Sequence, residues 1–359
     1  MLKESEVVHR TGMKNPLVSI IVPVFKTPIP LLKRFLNSAL GQSISQVELI
    51  AVDDASPDMC PQVLDAWSTK DARMTVIHRT ENGRAGMARN DGLERARGSY
   101  VLFADADDIL QPDMCETLYK LALDQEADIV ACSYSIRNQN MDLVSRGHLS
   151  DCKLDLTVSL QRAMAYRNMN YALWNKIFRY KTIANLRFEQ FEANIGEDTL
   201  FNVAALCQAK IFVTTTYCGY NFTIHNKSAT GRVKKGVQYI RTLETSNDKI
   251  RKLISEKDGS VVGKRFAEHL SLKRFATGCA YIADYPQKKE RDRLWSFWYC
   301  YFKERLMPKI ETRILLAFWF RIMVSILNTP KIYRMMLIFV SLTEPLSVIQ
   351  RLKMRLSSK

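Results

Sequence analysis

A regular alternation of apolar runs and amphipathic stretches over residues 16–135 constrains this chain most. Runs rich in β-branched residues, such as "LVSIIVPVF" (17–25) and "QVELIAV" (46–52), are typical of strands buried on both faces. Between these two runs, "PIPLLKRFLNSALGQ" spaces its leucines at helical intervals, and Gly41 predicts the end of that helix. Strands that alternate with helices predict an α/β domain with a parallel sheet covered on both faces. Further strands are predicted at 74–78, 99–104 and 127–132.

The strict alternation ends near residue 136. A helix is predicted over 156–167. The segment "NYALWNKIFRYKTIANL" is predicted to form a strand-like piece with a short helix, and "IGEDTLFNVAALCQ" to form another helix. Two strands, "KIFVTT" and "YCGYNFTIH", follow, and the chain after residue 231 reads almost entirely as helix. We therefore expect four segments: an N-terminal extension (1–15), a nucleotide-binding half (16–135), an acceptor-side half (136–230) and a basic helical region (231–359).

Acidic residues follow two of the predicted strands. Asp53 and Asp54 end the second strand in "VDDASPD", and Asp105 and Asp107 follow the fourth in "FADADDILQPD". Ligands of such sheets bind outside the carboxyl ends of the strands, so both pairs are expected at one edge. A helix cap or an Asx turn explains most single aspartates in such places. Crowded carboxylates repel one another, however, and a divalent cation with oxygen ligands relieves that repulsion.

The net charge of +15 is concentrated near the C-terminus. Residues 260–359 hold 19 Lys and Arg against 7 Asp and Glu, which accounts for 12 of the 15 positive charges. Over 289–359, aromatic residues accompany these cations, a mixture typical of helices that lie on an anionic membrane surface. Two alternatives remain open: a helical bundle packed on the rest of the chain, and a nucleic-acid-binding tail.

The cysteines and the apolar runs predict the cellular compartment of the protein. None of the 8 cysteines forms a C-x-x-C pair, which favours reduced, buried thiols over disulfides or zinc. The first 16 residues contain no apolar stretch of signal-peptide length. The run "ILLAFWFRIMVSIL" is interrupted by Arg321 and is short for a bilayer span. We expect a cytoplasmic protein, peripheral at the inner face of the cell membrane.

Six motifs resemble the family 2 glycosyltransferases of GT-A fold in their order and spacing. They span roughly residues 16–230, with two minor departures, Ala55 in "DDAS" and Phe25 where tyrosine is more common. The resemblance implies a GT-A, Rossmann-like mixed sheet with a C-terminal helical extension, and a UDP-sugar donor. The motifs are "VSIIVPVFKT", "ELIAVDDASPD", "ENGRAGMARNDGL", "SYVLFADADDILQPD", "LWNKIF" and "IGEDTLFN".

The resemblance also assigns roles at the donor. Asp54 matches the acceptor of the uracil imide N–H, with Asp53 as the alternative contact, and the end of the first strand would lie against the uracil. Asp105 and Asp107 match the family's D-x-D, in which Asp107 would ligate Mn²⁺ or Mg²⁺ and Asp105 would face the ribose or a metal-bound water. Such an ion would stabilise the charge that grows on the departing diphosphate. The other donor-side residues implied are Pro23, Val24, Phe25 and Ala106.

Four further residues have two interpretations each. Arg84 and Arg89 are candidates for the phosphates or the donor sugar, or they serve helix packing. His225 is a further metal or phosphate contact, or a structural histidine. Asp198 in "GEDTLFN" matches the family's catalytic base, whereas a helix start alone would also favour an acid there.

The sequence as a whole favours an inverting glycosyltransferase of bacterial surface polysaccharide biosynthesis. It would move a hexose or N-acetylhexosamine from a UDP-sugar to a glycan or lipid-linked saccharide, and no nucleic acid is expected as a partner. A receiver or haloacid-type phosphotransferase needs its aspartate on the first strand, where this chain has "VPVFKT". A nucleotidyltransferase needs a glycine-rich loop there. A non-catalytic membrane- or RNA-binding protein leaves the two aspartate pairs unexplained.

Overall fold

A computed structural model describes most of the first two thirds of the chain and little beyond residue 257. The described residues are 6–8, 15–157, 172–191, 195–225, 237–257 and 293–294. The strands are β1 (Glu6–Val8), β2 (Val18–Val24), β3 (Val47–Asp53), β4 (Met74–His78), β5 (Tyr100–Phe103), β6 (Ile109–Leu110), β7 (Ile129–Arg137), β8 (Leu143–Gly147), β9 (Cys152–Asp155), β10 (Lys176–Arg179) and β11 (Ile211–Thr223). The helices are α1 (Ile29–Leu40), α2 (Cys60–Ser68), α3 (Arg84–Arg95), α4 (Met114–Asp124), α5 (Tyr180–Ile183), α6 (Glu197–Gln208) and α7 (Val237–Lys257).

The described strands form one mixed sheet in the order β1-β4-β3-β2-β5-β10-β7-β11-β6, with β8 beside β7 and β9 beside β11. Strands β4, β3, β2 and β5 are parallel neighbours. Strand β10 is antiparallel to both β5 and β7, and β11 is parallel to β7. The carboxyl ends of β2, β3, β5, β7 and β11 therefore meet at one edge of the sheet.

The core explains why these segments form strands and helices. Every residue of β3 is buried, as expected for a strand covered on both faces. Helix α1 buries a leucine-rich face, and its last turn closes where the Gly41 N–H donates to the Asn37 carbonyl. Helix α3 lies so close to β2 that a Cβ on Gly92 would stand 2.4 Å from Ile21 Cγ2. Only glycine allows that approach.

The structure differs from the sequence prediction in the second half of the sheet. The two strands predicted at "KIFVTT" and "YCGYNFTIH" form one strand, β11, whose register shifts between Thr215 and Cys218 and again before Tyr220. A bulge of this kind leaves unpaired residues that read as a break in the sequence pattern. Strand β7 is longer than predicted and reaches Arg137. The helix predicted over 156–167 lies almost entirely outside the described residues.

The chain divides into two compact units, residues 1–233 and 234–359. In the second unit the structure describes α7 and residues 293–294, so the membrane interpretation of 289–359 falls outside the described residues. Among the helices that are described, none has the length and apolar character needed to cross a bilayer. The six cysteines within the described ranges are free thiols. Four of them are buried, as the sequence predicts, whereas Cys152 and Cys218 are half-buried.

Candidate active site

The end of β3 carries a fixed acceptor, Asp54. Its Oδ1 accepts hydrogen bonds from Arg79 Nη1 at 2.7 Å and from the Gly83 N–H at 2.8 Å. Its own N–H donates to the Val24 carbonyl at 2.9 Å, which ties this residue to the end of β2. Its Oδ2 is buried and has no hydrogen-bond partner among the described residues. A carboxylate held this way keeps one lone-pair-bearing oxygen for a donor group from a ligand.

Asp53 is engaged by its own neighbours instead. Its Oδ1 accepts the Ser56 N–H at 3.1 Å, and its Oδ2 lies 3.2 Å from His78 Nδ1. At the end of β2, Val24 is buried, Pro23 is half-buried and the Phe25 side chain is 40% exposed. Of the two carboxylates after β3, Asp54 is therefore the better placed to meet a ligand near Phe25.

The segment after β5 is held by β11. The Asp105 N–H donates to Tyr220 Oη at 3.1 Å, and the Tyr220 hydroxyl donates to Asp108 Oδ2 at 2.8 Å. The Thr223 N–H donates to Asp108 Oδ1 at 2.7 Å. Asp108 is fully buried, and burial together with Asp107 and Asp105 raises its pKa well above the ordinary value. Asp108 therefore fixes this segment to β11.

Asp107 lies beside His225. His225 Nε2 is 2.6 Å from Asp107 Oδ2, and the histidine side chain is 2% exposed against 25% for the aspartate. Burial and the nearby Asp105 raise the pKa of Asp107, although His225 opposes the shift. Ala106 between the two aspartates is buried. The D-x-D segment and the end of β11 thus converge at the sheet edge.

Arg89 joins the D-x-D segment to the predicted base. Its Nη2 donates to Asp105 Oδ1 at 2.9 Å and its Nη1 to Asp198 Oδ1 at 2.8 Å. The guanidinium is buried and lies 5.6 Å from the centre of the Phe188 ring. Burial works against its charge, yet its pKa is raised because Asp198 and Asp105 favour the cation. Both terminal nitrogens of Arg89 are therefore occupied by carboxylates.

Asp198 lies in the first turn of α6, next to that guanidinium. Gly196 precedes the helix at φ 89°, a left-handed conformation that glycine adopts without strain. The Asp198 side chain is 35% exposed, and burial of the rest raises its pKa to about 7. Arg89 opposes this shift, whereas Glu197 and Asp105 add to it. A carboxylate with a pKa near neutrality is suited to accept a proton.

Arg84, the other predicted arginine, contacts a different part of the chain. It adopts φ 69°, and its Nη1 donates to the Phe191 carbonyl.

Trp174 is buried and stacks on Tyr220 with ring centres 4.7 Å apart, and it also packs against Phe222. Trp174 therefore belongs to the core.

Two residues near the site were not identified from sequence. Arg79 pairs with Asp54 and, through Nε, with Asp91 at 2.8 Å. Lys176 is buried, and its Nζ donates to the Ala172 carbonyl and to Asn175 Oδ1, both at 2.7 Å. Burial lowers the pKa of Lys176 to about 7. A lysine inside the otherwise mostly apolar motif "LWNKIF" is the sequence feature from which a buried Lys176 could have been predicted.

The metal prediction is compatible with these side chains only in part. Within the described ranges, no group of three or more His, Cys, Asp or Glu side chains is arranged to hold an ion. Asp107 and His225 together offer one oxygen and one nitrogen side chain, with Asp105 two residues away in sequence. Mg²⁺ in nucleotide sites takes one or two carboxylates and completes its shell with phosphates and water. These residues suit an ion that arrives with a nucleotide diphosphate.

Comparisons with known proteins agree with this geometry. Residues 19–205 match the Glycosyl transferase family 2. The chain is 32% identical over 201 residues to the uncharacterized glycosyltransferase EpsJ of Bacillus subtilis, covering 54% of this chain and 57% of EpsJ. It is 34% identical over 126 residues to the putative teichuronic acid biosynthesis glycosyltransferase TuaG of the same species, covering 35% of this chain and 50% of TuaG. The match thus spans about half of the length of each relative.

Solved structures show the fold. Crystal structures of S. aureus TarS 1-349 in complex with UDP and with UDP-GlcNAc superpose with TM-scores of 0.63 and 0.64 at 18% identity. Each alignment covers 89% of this chain, and 89% and 90% of the respective TarS chains. The predicted GT-A architecture is confirmed. With the family match covering more than half of its length, the chain belongs to glycosyl transferase family 2.

Proposed function

We propose that this chain is an inverting glycosyltransferase that moves a hexose or N-acetylhexosamine from a UDP-sugar to a glycan acceptor in bacterial surface polysaccharide biosynthesis. The observation that carries the proposal is the arrangement around Arg89. This buried cation holds Asp105, from the D-x-D segment, within reach of Asp198, which lies on α6, 109 residues after Arg89. A donor-side carboxylate and a candidate base are thereby brought to one place.

The nucleotide would bind at the ends of β2 and β3. Asp54 Oδ2 is an acceptor without a partner among the described residues, and the uracil imide N–H is a donor that suits it. Phe25 offers an exposed aromatic face at the same edge, beside Pro23 and Val24. The donor class is also favoured by TarS, whose crystal structures include complexes with UDP and with UDP-GlcNAc.

Asp107 and His225 would hold Mn²⁺ or Mg²⁺ on the diphosphate side, with Asp105 nearby. When bound, the ion supplies positive charge to the leaving diphosphate. Because Asp105 Oδ1 accepts from Arg89, its other oxygen remains for the ribose or for water. Arg84 stays a candidate for the phosphates or the donor sugar on sequence grounds.

Asp198 would act as the general base. Its carboxylate takes the proton from the acceptor hydroxyl, the hydroxyl oxygen forms a bond to the anomeric carbon, and the bond from that carbon to the UDP oxygen breaks. Attack opposite the leaving group inverts the anomeric centre. A pKa of about 7 leaves a substantial fraction of Asp198 deprotonated at neutral pH, while the carboxyl remains basic enough to accept a proton.

The setting of the reaction rests on the relatives and on sequence. TuaG is named for teichuronic acid biosynthesis, which favours a surface polysaccharide as the product. The basic, aromatic residues 289–359 would bring the enzyme to the cytoplasmic face of an anionic membrane, where a lipid-linked acceptor is found.

A donor panel tests the proposal. We expect one UDP-sugar to bind in calorimetry and to be slowly hydrolysed, with hydrolysis dependent on Mn²⁺ or Mg²⁺. Asp107→Ala should abolish the metal-dependent hydrolysis, whereas Asp124→Ala, at the exposed end of α4, is the matched control and should retain it. The proposal fails if no UDP-sugar binds and Asp107→Ala has no effect.

A further inference from the structure

A surface cavity lies outside the candidate active site. It has a volume of about 500 Å³ and opens between α1, the β6 segment and the ends of β7 and β11. Arg34 and Ser38 line it from α1, Gln111 from the chain after β6, and Arg137 and Asn221 from β7 and β11. None of the aspartates of the candidate active site lines this cavity.

Arg34 has unused hydrogen-bond donors. Its Nε and Nη2 are buried, and neither has a partner among the residues that the structure describes. Its Nη1 makes one long contact, 3.4 Å to the Gln139 carbonyl. A guanidinium donor buried without an acceptor is costly. Because these two atoms are covered by the protein, a small movement of the Arg34 side chain toward an anionic ligand would be needed to pair them, and that pairing would remove the cost.

Arg137 is fixed in place on the other side of the cavity. Its Nε donates to Asn221 Oδ1 at 2.9 Å and to Ser135 Oγ at 3.2 Å, and its Nη1 donates to the Met141 carbonyl at 2.7 Å. Within the described part of the chain, these bonds leave its Nη2 without an acceptor. Because the side chain is already ordered, binding an anion there loses little rotamer entropy.

The charge of the cavity favours anions. Two arginines line it, and no Asp or Glu does so. The planar fork of arginine matches phosphate oxygens, and two such groups can each donate to one tetrahedral oxyanion. The volume is in the range of small-molecule sites and exceeds what a single phosphate fills. A sugar or glycerol group attached to the phosphate has room.

We propose that the Arg34–Arg137 cavity binds the phosphate group of a second ligand, distinct from the nucleotide donor. The shared chemistry is a phosphate oxyanion carried on a small polar group. It could belong to a free phosphate monoester or to a phosphodiester within a polymer. The inference does not depend on the proposed transferase activity, because it rests on residues outside that site.

Calorimetry on the full chain tests the site with three probes: inorganic phosphate, glycerol 3-phosphate as the monoester and glycerophosphoglycerol as the diester. Each titration is run without nucleotide and again with UDP and Mg²⁺, and binding at the cavity is the component present in both series. We expect saturable binding of at least one organic probe at millimolar concentrations or below. Preference for the monoester or for the diester identifies the source of the phosphate.

Substitutions locate that binding. Arg34→Gln and Arg137→Gln should each weaken it by about tenfold or more, since each removes a charged donor. Lys33→Gln, on an exposed neighbour of Arg34 in α1, is the matched control and should change it by less than about twofold. Arg34→Gln is the decisive variant if Arg137→Gln lowers the melting temperature. Absence of saturable binding, or equal affinity in Arg34→Gln and wild type, overturns the proposal.

Discussion

Replacing Arg89 should move the pH dependence of the reaction. In the structure, Arg89 Nη1 is 2.8 Å from Asp198 Oδ1 and favours the deprotonated form of that carboxyl. Two unit charges about 4 Å apart interact by about 4 kcal/mol at an effective dielectric of about 20, or about 3 pKa units at most. Measured shifts for an aspartate beside an arginine are about 1 to 3 units. Arg89→Met should therefore raise the pKa of Asp198 from about 7 to between about 8 and 10.

The expected loss of rate follows from that shift. At pH 7 about half of the wild-type Asp198 is deprotonated, whereas in Arg89→Met the fraction falls to between about 10% and 0.1%. Donor hydrolysis at pH 7 should slow by about fivefold to several hundredfold, and much of the loss should return at higher pH. The ascending limb of kcat/KM against pH reports this pKa in the free enzyme.

Two variants separate this effect from others. Arg89→Lys keeps the positive charge, so its limb should remain nearer that of wild type. Arg95→Met makes the same kind of change on the exposed last turn of α3 and should leave the limb in place. Thermal melts establish that each variant is folded. An ascending limb at the same pH in folded Arg89→Met and wild type would refute the reasoning.

Three other changes test the fold and the nucleotide site. Glu48→Gln should lower the free energy of unfolding in urea by about 2 kcal/mol, because the buried carboxylate accepts two hydrogen bonds from the Arg97 side chain; an unchanged midpoint would contradict this. Gly92→Ala should cost about 1 to 3 kcal/mol in the same assay, since its Cβ would stand 2.4 Å from Ile21 Cγ2. Asp54→Asn should weaken UDP binding in calorimetry by about tenfold or more in folded protein, and wild-type affinity would count against the uracil assignment.

The sequence predicted the half of the site that depends on strand ends. Asp54 and Asp105 follow apolar runs, and parallel strands bring their carboxyl ends to one edge, so periodicity alone places both residues. The base position, Asp198, came from the family resemblance, because a helix start explains an acid there equally well. The sequence offered His225 as a metal or phosphate contact or as a structural histidine, and its pairing with Asp107 was not among these interpretations.

The remaining parts depend on contacts between distant segments. Arg89 was a candidate for the phosphates or the donor sugar, or for helix packing. Its two carboxylate partners lie 16 and 109 residues away, and no local pattern encodes that pairing. The role of Asp108 depends on the register of β11, which a bulge shifts. Glu48 is a charged residue within a buried strand, and the sequence alone does not explain its position. The structure does, because Arg97 and Ser19 both donate hydrogen bonds to its carboxylate.

Replacement of the proposed base tests the account most directly. Asp198→Asn keeps the size of the side chain but cannot accept the acceptor's proton at neutral pH. With the UDP-sugar selected by the donor panel, we expect donor affinity within about twofold of wild type and turnover reduced by about a hundredfold or more. Turnover at the wild-type rate in Asp198→Asn would contradict the assignment of Asp198 as the group that activates the acceptor.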